Sequence, residues 1–392
     1  MNKKLVAVAI AGLLAAPLAQ AQTANVTLYG RVNMDLEVVN GQKLDTGPQV
    51  GTCQPNGATV STCRTTNSNQ YRVSSNSSRF GLRGTESLGG GLDAIFQLEN
   101  GSIGWDNAGG GVIGGRDTFV GLRGSWGTMK VGFYSLPYDN MTTIWGDSPF
   151  LNTGIMASAA IWAQGGSGQS SGGFDNRVGN TVRWDSPVMS GFQGQISYSI
   201  GGQAGGVGEG PPTSPQTNSS VTSGILLYNN GPIQFGAGFQ YNNAVRARAL
   251  NDIAYSFAAS YQFPKVKVSA IYERLDYDFS TSTSLTRNMY GVDVNWAMGP
   301  GKLYILWAYG ANGGGSAPKG SKVGNLVQGD DSSVNQWQVS YTYPLSKRTS
   351  VYTGYTQIVN KAVVNYTFAT NSYAVANGAK PQGFLVGMFH NF

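Results

Sequence analysis

Hydrophobic residues recur at every second position over most of this chain. In the clearest run Val26, Leu28, Gly30, Val32, Met34, Leu36 and Val38 share one face, and Thr27, Tyr29, Arg31, Asn33, Asp35 and Glu37 share the other. A period of two is that of an extended strand, whose successive side chains point to opposite faces. The last run behaves alike, with Phe384, Val386, Met388, His390 and Phe392 on one largely apolar face. Sixteen runs can be marked, at 26–39, 70–86, 91–101, 116–124, 128–135, 180–187, 191–200, 222–229, 232–242, 252–263, 265–276, 288–298, 302–310, 334–343, 348–359 and 383–392. Short connectors carry turn chemistry, as in Leu88-Gly89-Gly90-Gly91, Asn230-Gly231-Pro232 and Phe263-Pro264-Lys265. They alternate with long polar connectors rich in Gly, Ser and Asn, such as 201–220 and 311–331.

Two architectures accept such alternation. A soluble sandwich buries the apolar face and wets the polar one. A membrane barrel turns the apolar face to lipid and the polar face to a lumen. Two packed sheets rarely need so many strands of this length. An even strand count, short turns at one end and long loops at the other predict an all-β fold, a 16-stranded antiparallel transmembrane β-barrel. A chain that stops inside a strand leaves an open edge unless that strand pairs and closes the ring. Outer-membrane barrels commonly end on an aromatic, so Phe392 is expected to be an assembly signal. Tyr255, Tyr261, Phe263, Tyr272, Trp296, Trp307, Tyr309, Trp337, Tyr341 and Tyr343 cluster toward strand ends. They fit two belts at the membrane interfaces, with a packed core as the alternative.

Composition agrees. Charged residues make up 12% and there are 56 glycines, against about 25% charged in a soluble domain. Lys3 and Lys4, the apolar run from Leu5 to Ala16 and Ala19-Gln20-Ala21 read as an export signal. Residues 1–21 are expected to be removed, leaving 22–392 as a single barrel domain in the outer membrane of a Gram-negative cell. Loss of the two lysines lowers the formal charge from +6 to +4. No run of 18 apolar residues exists, so no transmembrane helix is expected. The basic balance has no Lys/Arg cluster behind it, and with export this argues against a nucleic-acid partner.

Several segments resemble the trimeric general-diffusion porins of Gram-negative bacteria, in their betaproteobacterial form. They are Val26-Thr27-Leu28-Tyr29-Gly30, the stretch from Ser78-Arg79-Phe80-Gly81 to Gly91-Leu92, and Ala94-Ile95-Phe96-Gln97-Leu98-Glu99. Phe119-Val120-Gly121-Leu122, Asn180-Thr181-Val182-Arg183-Trp184-Asp185-Ser186-Pro187 and the closing Gly387-Met388-Phe389-His390-Asn391-Phe392 follow in order. The resemblance implies a homotrimer and a third long loop folded into the lumen as a constriction. The expected partners are outer-membrane lipid, lipopolysaccharide and small hydrophilic solutes.

That loop is expected over 136–179. It holds Met141, Ile144, Trp145, Phe150, Ile155, Ile161 and Trp162 beside Asp139, Asp147 and Asp175. A freely solvated loop would not need so many large apolar groups, so it is expected to pack on the inner wall; the alternative stands it outside the mouth or against a neighbouring subunit. Strand parity turns Arg31, Arg79, Arg83, Arg123, Lys130 and Arg183 inward. Arg31, Arg79 and Arg183 are placed near mid-strand, and Arg83, Arg123 and Lys130 toward the periplasmic end, with the loop acids facing the arginines. Rings of Arg or Lys favour anions; if each arginine pairs with a carboxylate, the pore is instead nearly neutral.

Cys53 and Cys63 are the only cysteines. An exported pair at this spacing is expected to form a disulfide that staples the first long loop, with no metal and no cofactor. The single histidine, His390, falls on the lipid-facing side, which leaves no base for a Ser-His-Asp or Cys-His device. The reading is a passive, anion-preferring channel rather than an enzyme. A barrel that serves as a binding or adhesion surface and a barrel hydrolase are the alternatives.

Overall fold

The computed structural model describes residues 25–41, 51–52, 59–60, 69–101, 103–105, 112–146, 148, 153–164, 171–200, 219–372 and 374–392. Cys53, Cys63, Asp147, Phe150 and the export signal lie outside the described residues.

Sixteen wall strands form one antiparallel sheet. They are β1 (Asn25–Asn40), β2 (Gln70–Ser75, resuming as Arg79–Gly89), β3 (Leu92–Glu99), β4 (Thr118–Gly124), β5 (Gly127–Ser135), β6 (Arg177–Asp185), β7 (Phe192–Ile200) and β8 (Ser220–Asn230). The second half is β9 (Ile233–Asn243), β10 (Asn251–Gln262), β11 (Val266–Asp278), β12 (Ser284–Met298), β13 (Gly301–Gly310), β14 (Val334–Pro344), β15 (Thr349–Asn360) and β16 (Gln382–Asn391). β1 pairs β16 from Arg31↔Asn391 to Asn40↔Gln382 and pairs β2 on its other side, so the ring closes. Closure removes the edges that a membrane cannot tolerate. Phe392 completes it through two backbone bonds with Gly30, 3.1 and 3.0 Å.

Exposed Val26, Leu28, Leu36, Phe80, Leu82, Val120, Val131, Phe257, Val292 and Ile305 all lie on the outward face. Tyr255, Tyr261, Phe263, Trp296, Trp307, Trp337 and Tyr343 are exposed there too, which suits rings at a lipid boundary. The predicted run 70–86 is in fact interrupted. Ser77 takes a left-handed backbone (φ 55°), and Asn76 N–H donates to the Asn33 carbonyl at 2.9 Å.

The inner face departs from expectation over half the ring. On β1–β7 it is mostly polar, with Val39 and Val178 as buried apolar exceptions. On β8–β16 it also carries buried Ile225, Ile271, Leu275, Leu285, Met289, Leu306, Val334, Ile358 and Leu385, in one cluster with the long inner loop. A lumen wall that is covered can be apolar, for the reason that any core is.

Candidate functional site

The loop between β5 and β6 enters the barrel. It ends at Asn176 rather than 179, because β6 already starts at Arg177. Among its described residues three short 3-10 turns, Pro137–Thr143, Ser158–Ala160 and Trp162–Gln164, fold it tightly. Met141, Ile144, Trp145, Ile155, Met156, Ile161, Trp162 and Phe174 are buried against the apolar half of the wall. Tyr138 stacks on Trp162 with ring centroids 5.4 Å apart. Gly291 of β12 makes the approach possible, since a Cβ there would run into the Trp145 indole.

Buried polar groups pin the loop from below. Glu273 and Arg287 have side chains that are 0% exposed and sit 3.3 Å apart. The Tyr138 hydroxyl and the Ala163 N–H donate to Glu273 Oε1 at 2.9 and 3.0 Å. Arg287 Nη2 donates to the Ile161 carbonyl at 2.6 Å, and Nη1 donates to the Tyr366 hydroxyl at 2.7 Å. Gly146 N–H donates to Asp293 Oδ2 at 2.8 Å, and Gln336 Nε2 to the Ala157 carbonyl at 3.0 Å. A buried ion pair loses its hydration, and only added hydrogen bonds of this kind offset that loss.

The basic half of the wall lies on β1–β6. Arg31 and Arg79 are directly opposed across β1 and β2. Arg79 and Arg116 both pair with Glu99, at 3.4 and 2.5 Å. Arg31 Nε donates to the Ser77 carbonyl at 3.1 Å, and its guanidinium lies 5.7 Å from the centre of the Phe389 ring. Arg83 packs over Tyr29 at 5.0 Å. Neither Arg31 nor Arg83 has a carboxylate at ion-pair distance among the described residues. Lys130 and Arg183 face each other across β5 and β6, and both pair with Asp185, at 2.8 and 2.6 Å. Among the described residues, Arg31, Arg79, Arg83, Arg116, Lys130 and Arg183 thus have only Glu99 and Asp185 at ion-pair distance. Above this band Arg72 pairs with Glu37 at 2.5 Å, with Asp35 nearby on the same strand face. Arg123 and Asp93 form a one-to-one pair at 2.8 Å.

Two placements need correction. Arg183 is not near mid-strand: β6 begins early, so Arg183 stands level with Lys130, close to the periplasmic end. Asp139 and Asp175 do not face Arg31 and Arg79 singly. They meet at the two roots of the loop, hydrogen-bonded to each other beside Arg177. Burial, then the neighbouring Asp139, pushes the Asp175 carboxyl well above the usual carboxylate range. Parity also left Arg116, Arg177, Glu273 and Arg287 unnoticed. Glu273 was open to detection, since it alternates inward with Ile271 and Leu275. Arg287 was not, because β12 starts four residues before the predicted run.

A closed antiparallel barrel with a greasy exterior, a basic lumen wall and an anchored inner loop defines an outer-membrane diffusion channel. Residues 6–363 match the Gram-negative porin family, and the chain belongs to it. An outer membrane porin protein of Bordetella pertussis is 30% identical over 348 residues, 81% of this chain and 83% of the relative. Outer membrane porin protein 32 of Delftia acidovorans is 27% identical over 405 residues, 100% of each chain. Among solved structures, an anion-selective porin from Comamonas acidovorans superposes with a TM-score of 0.69 at 24% identity, covering 94% of this chain and 100% of that one. The trimer form of an outer membrane protein of Vibrio cholerae superposes at 0.62 with 11% identity, covering 95% and 100%. The protein is therefore an integral outer-membrane β-barrel.

Proposed function

We propose that the channel is a homotrimer that passes small hydrophilic solutes, prefers anions and has no catalytic role. The carrying observation is the group of six cations on the β1–β6 side that, among the described residues, have two carboxylates between them at ion-pair distance. Confined charges of one sign raise the local concentration of the opposite ion. The anion-selective relative and the trimeric neighbour support the same reading. Lipid and lipopolysaccharide contact the apolar outer wall. Residues 1–21 are cleaved on export, and Cys53 and Cys63 are bonded; the mass of the mature chain with and without reductant tests both. The deciding measurement is planar-bilayer current under a salt gradient. Conductance steps in threes and a reversal potential of anion sign are expected; a potential of cation sign would overturn the reading.

A further inference from the structure

We propose that the channel carries a second solute site, on the periplasmic side of the inner loop, for small carboxylates with an apolar or aromatic body. The inference rests on the anion-channel reading and names a solute class for it. A cavity of about 260 Å³ lies between the loop, β7–β9 and the turn before β7. Its apolar lining is Ile144 from the loop, Leu227 from β8 and Val188 from the turn; Gln193, Asn229 and Gln234 supply neutral amides. The size approaches the lower end for small-molecule pockets, about 300 Å³, which suits a single ring and little more.

Among the described residues no charged side chain lines the cavity, so an anionic head must find its field beyond it. A fixed relay leads there. Gln195 Nε2 donates to Gln193 Oε1 at 3.3 Å, and Gln195 Oε1 accepts from Arg183 Nη2 at 2.9 Å and from Asn140 Nδ2 at 2.6 Å. Arg183 and Lys130 share Asp185 and leave one net positive charge two side chains from the cavity. A benzoate-like solute can therefore rest its ring on Leu227 and Ile144 with its carboxylate toward that charge. Acetate gains only the second contact, and an uncharged ring only the first.

The test uses the assembled channel in planar bilayers, with acetate, benzoate and benzamide added singly during chloride conduction. Benzoate is expected to reduce the current at about ten-fold lower concentration than acetate, as a part-buried ring predicts, with no comparable effect of benzamide. Leu227→Asn, which wets the floor, and Leu227→Trp, which fills the space, should each bring benzoate to the level of acetate and leave the chloride reversal potential unchanged. Equal potency of benzoate and acetate, equal potency of benzamide and benzoate, or benzoate block untouched by both variants would overturn the site. An anion-sign reversal potential alongside any of these would leave the channel reading standing; a cation-sign potential would remove both.

Discussion

The two halves of this barrel obey one parity rule and reach opposite interiors. On β1–β6 the inward positions hold Arg31, Arg79, Arg83, Lys130 and Arg183, outside the apolar cluster that the loop forms. On β10–β14 they hold Ile271, Leu275, Leu285, Met289 and Leu306 around a loop. Alternation fixes which face a side chain takes. What that face meets is decided by whether another segment of the chain covers it.

The covered half should fail most sharply. Glu273→Leu leaves Arg287 buried without its carboxylate, which costs about 3–5 kcal/mol. Gel mobility after graded heating should show early unfolding, and single-channel records should show a larger, noisier conductance. Adding Arg287→Met should restore most of the heat stability; a double variant as weak as the single would mean the pair is not what anchors the loop. Gly291→Leu tests the apolar contact in the same place. Overpacking against Trp145 should cost about 1–3 kcal/mol, and the altered conductance should distinguish a displaced loop from simple loss of assembly.

The basic half should respond in selectivity and hardly in stability. Arg31→Ala and Arg79→Ala each remove one charge from the band. A charge about 10 Å from a passing ion in water favours an anion and disfavours a cation by about 0.4 kcal/mol each, so each variant should lower the anion-to-cation permeability ratio roughly four-fold. Reversal potentials in a salt gradient read this directly, and no shift in either variant would mean that the band does not face the ions. The smallest effect is expected at the loop roots. The Asp175 carboxyl is raised in the folded chain, so its contribution to stability is present while it keeps its proton and is lost as pH rises through that raised value. Current noise from loop motion should therefore grow with pH, and Asp175→Asn should flatten that dependence.

The same contrast explains what could be read from residues alone. The outward faces were legible because lipid demands apolar groups with a strict period of two. The inward arginines were legible as the remainder. The covered wall was harder, though β13 carried a signal. Leu303-Tyr304-Ile305-Leu306-Trp307-Ala308-Tyr309 hardly alternates, and a strand that is apolar on both faces is covered on both. The Asp139–Asp175 contact had no local trace, because it joins loop ends separated by the whole inserted segment. The level of Arg183 was lost to a three-residue error at the start of one strand.

The interruption of β2 has a consequence for mutational scans. Arg31 is tethered there by the main-chain carbonyl of Ser77 and not by its hydroxyl. Replacement at position 77 by Asn or Gly, which adopt a left-handed backbone readily, should be silent in selectivity. Valine, which resists that geometry, should release the guanidinium although it alters no charge. A survey that scores positions only by side-chain chemistry would file this residue as inert spacer, when it sets the aim of a cation one strand away.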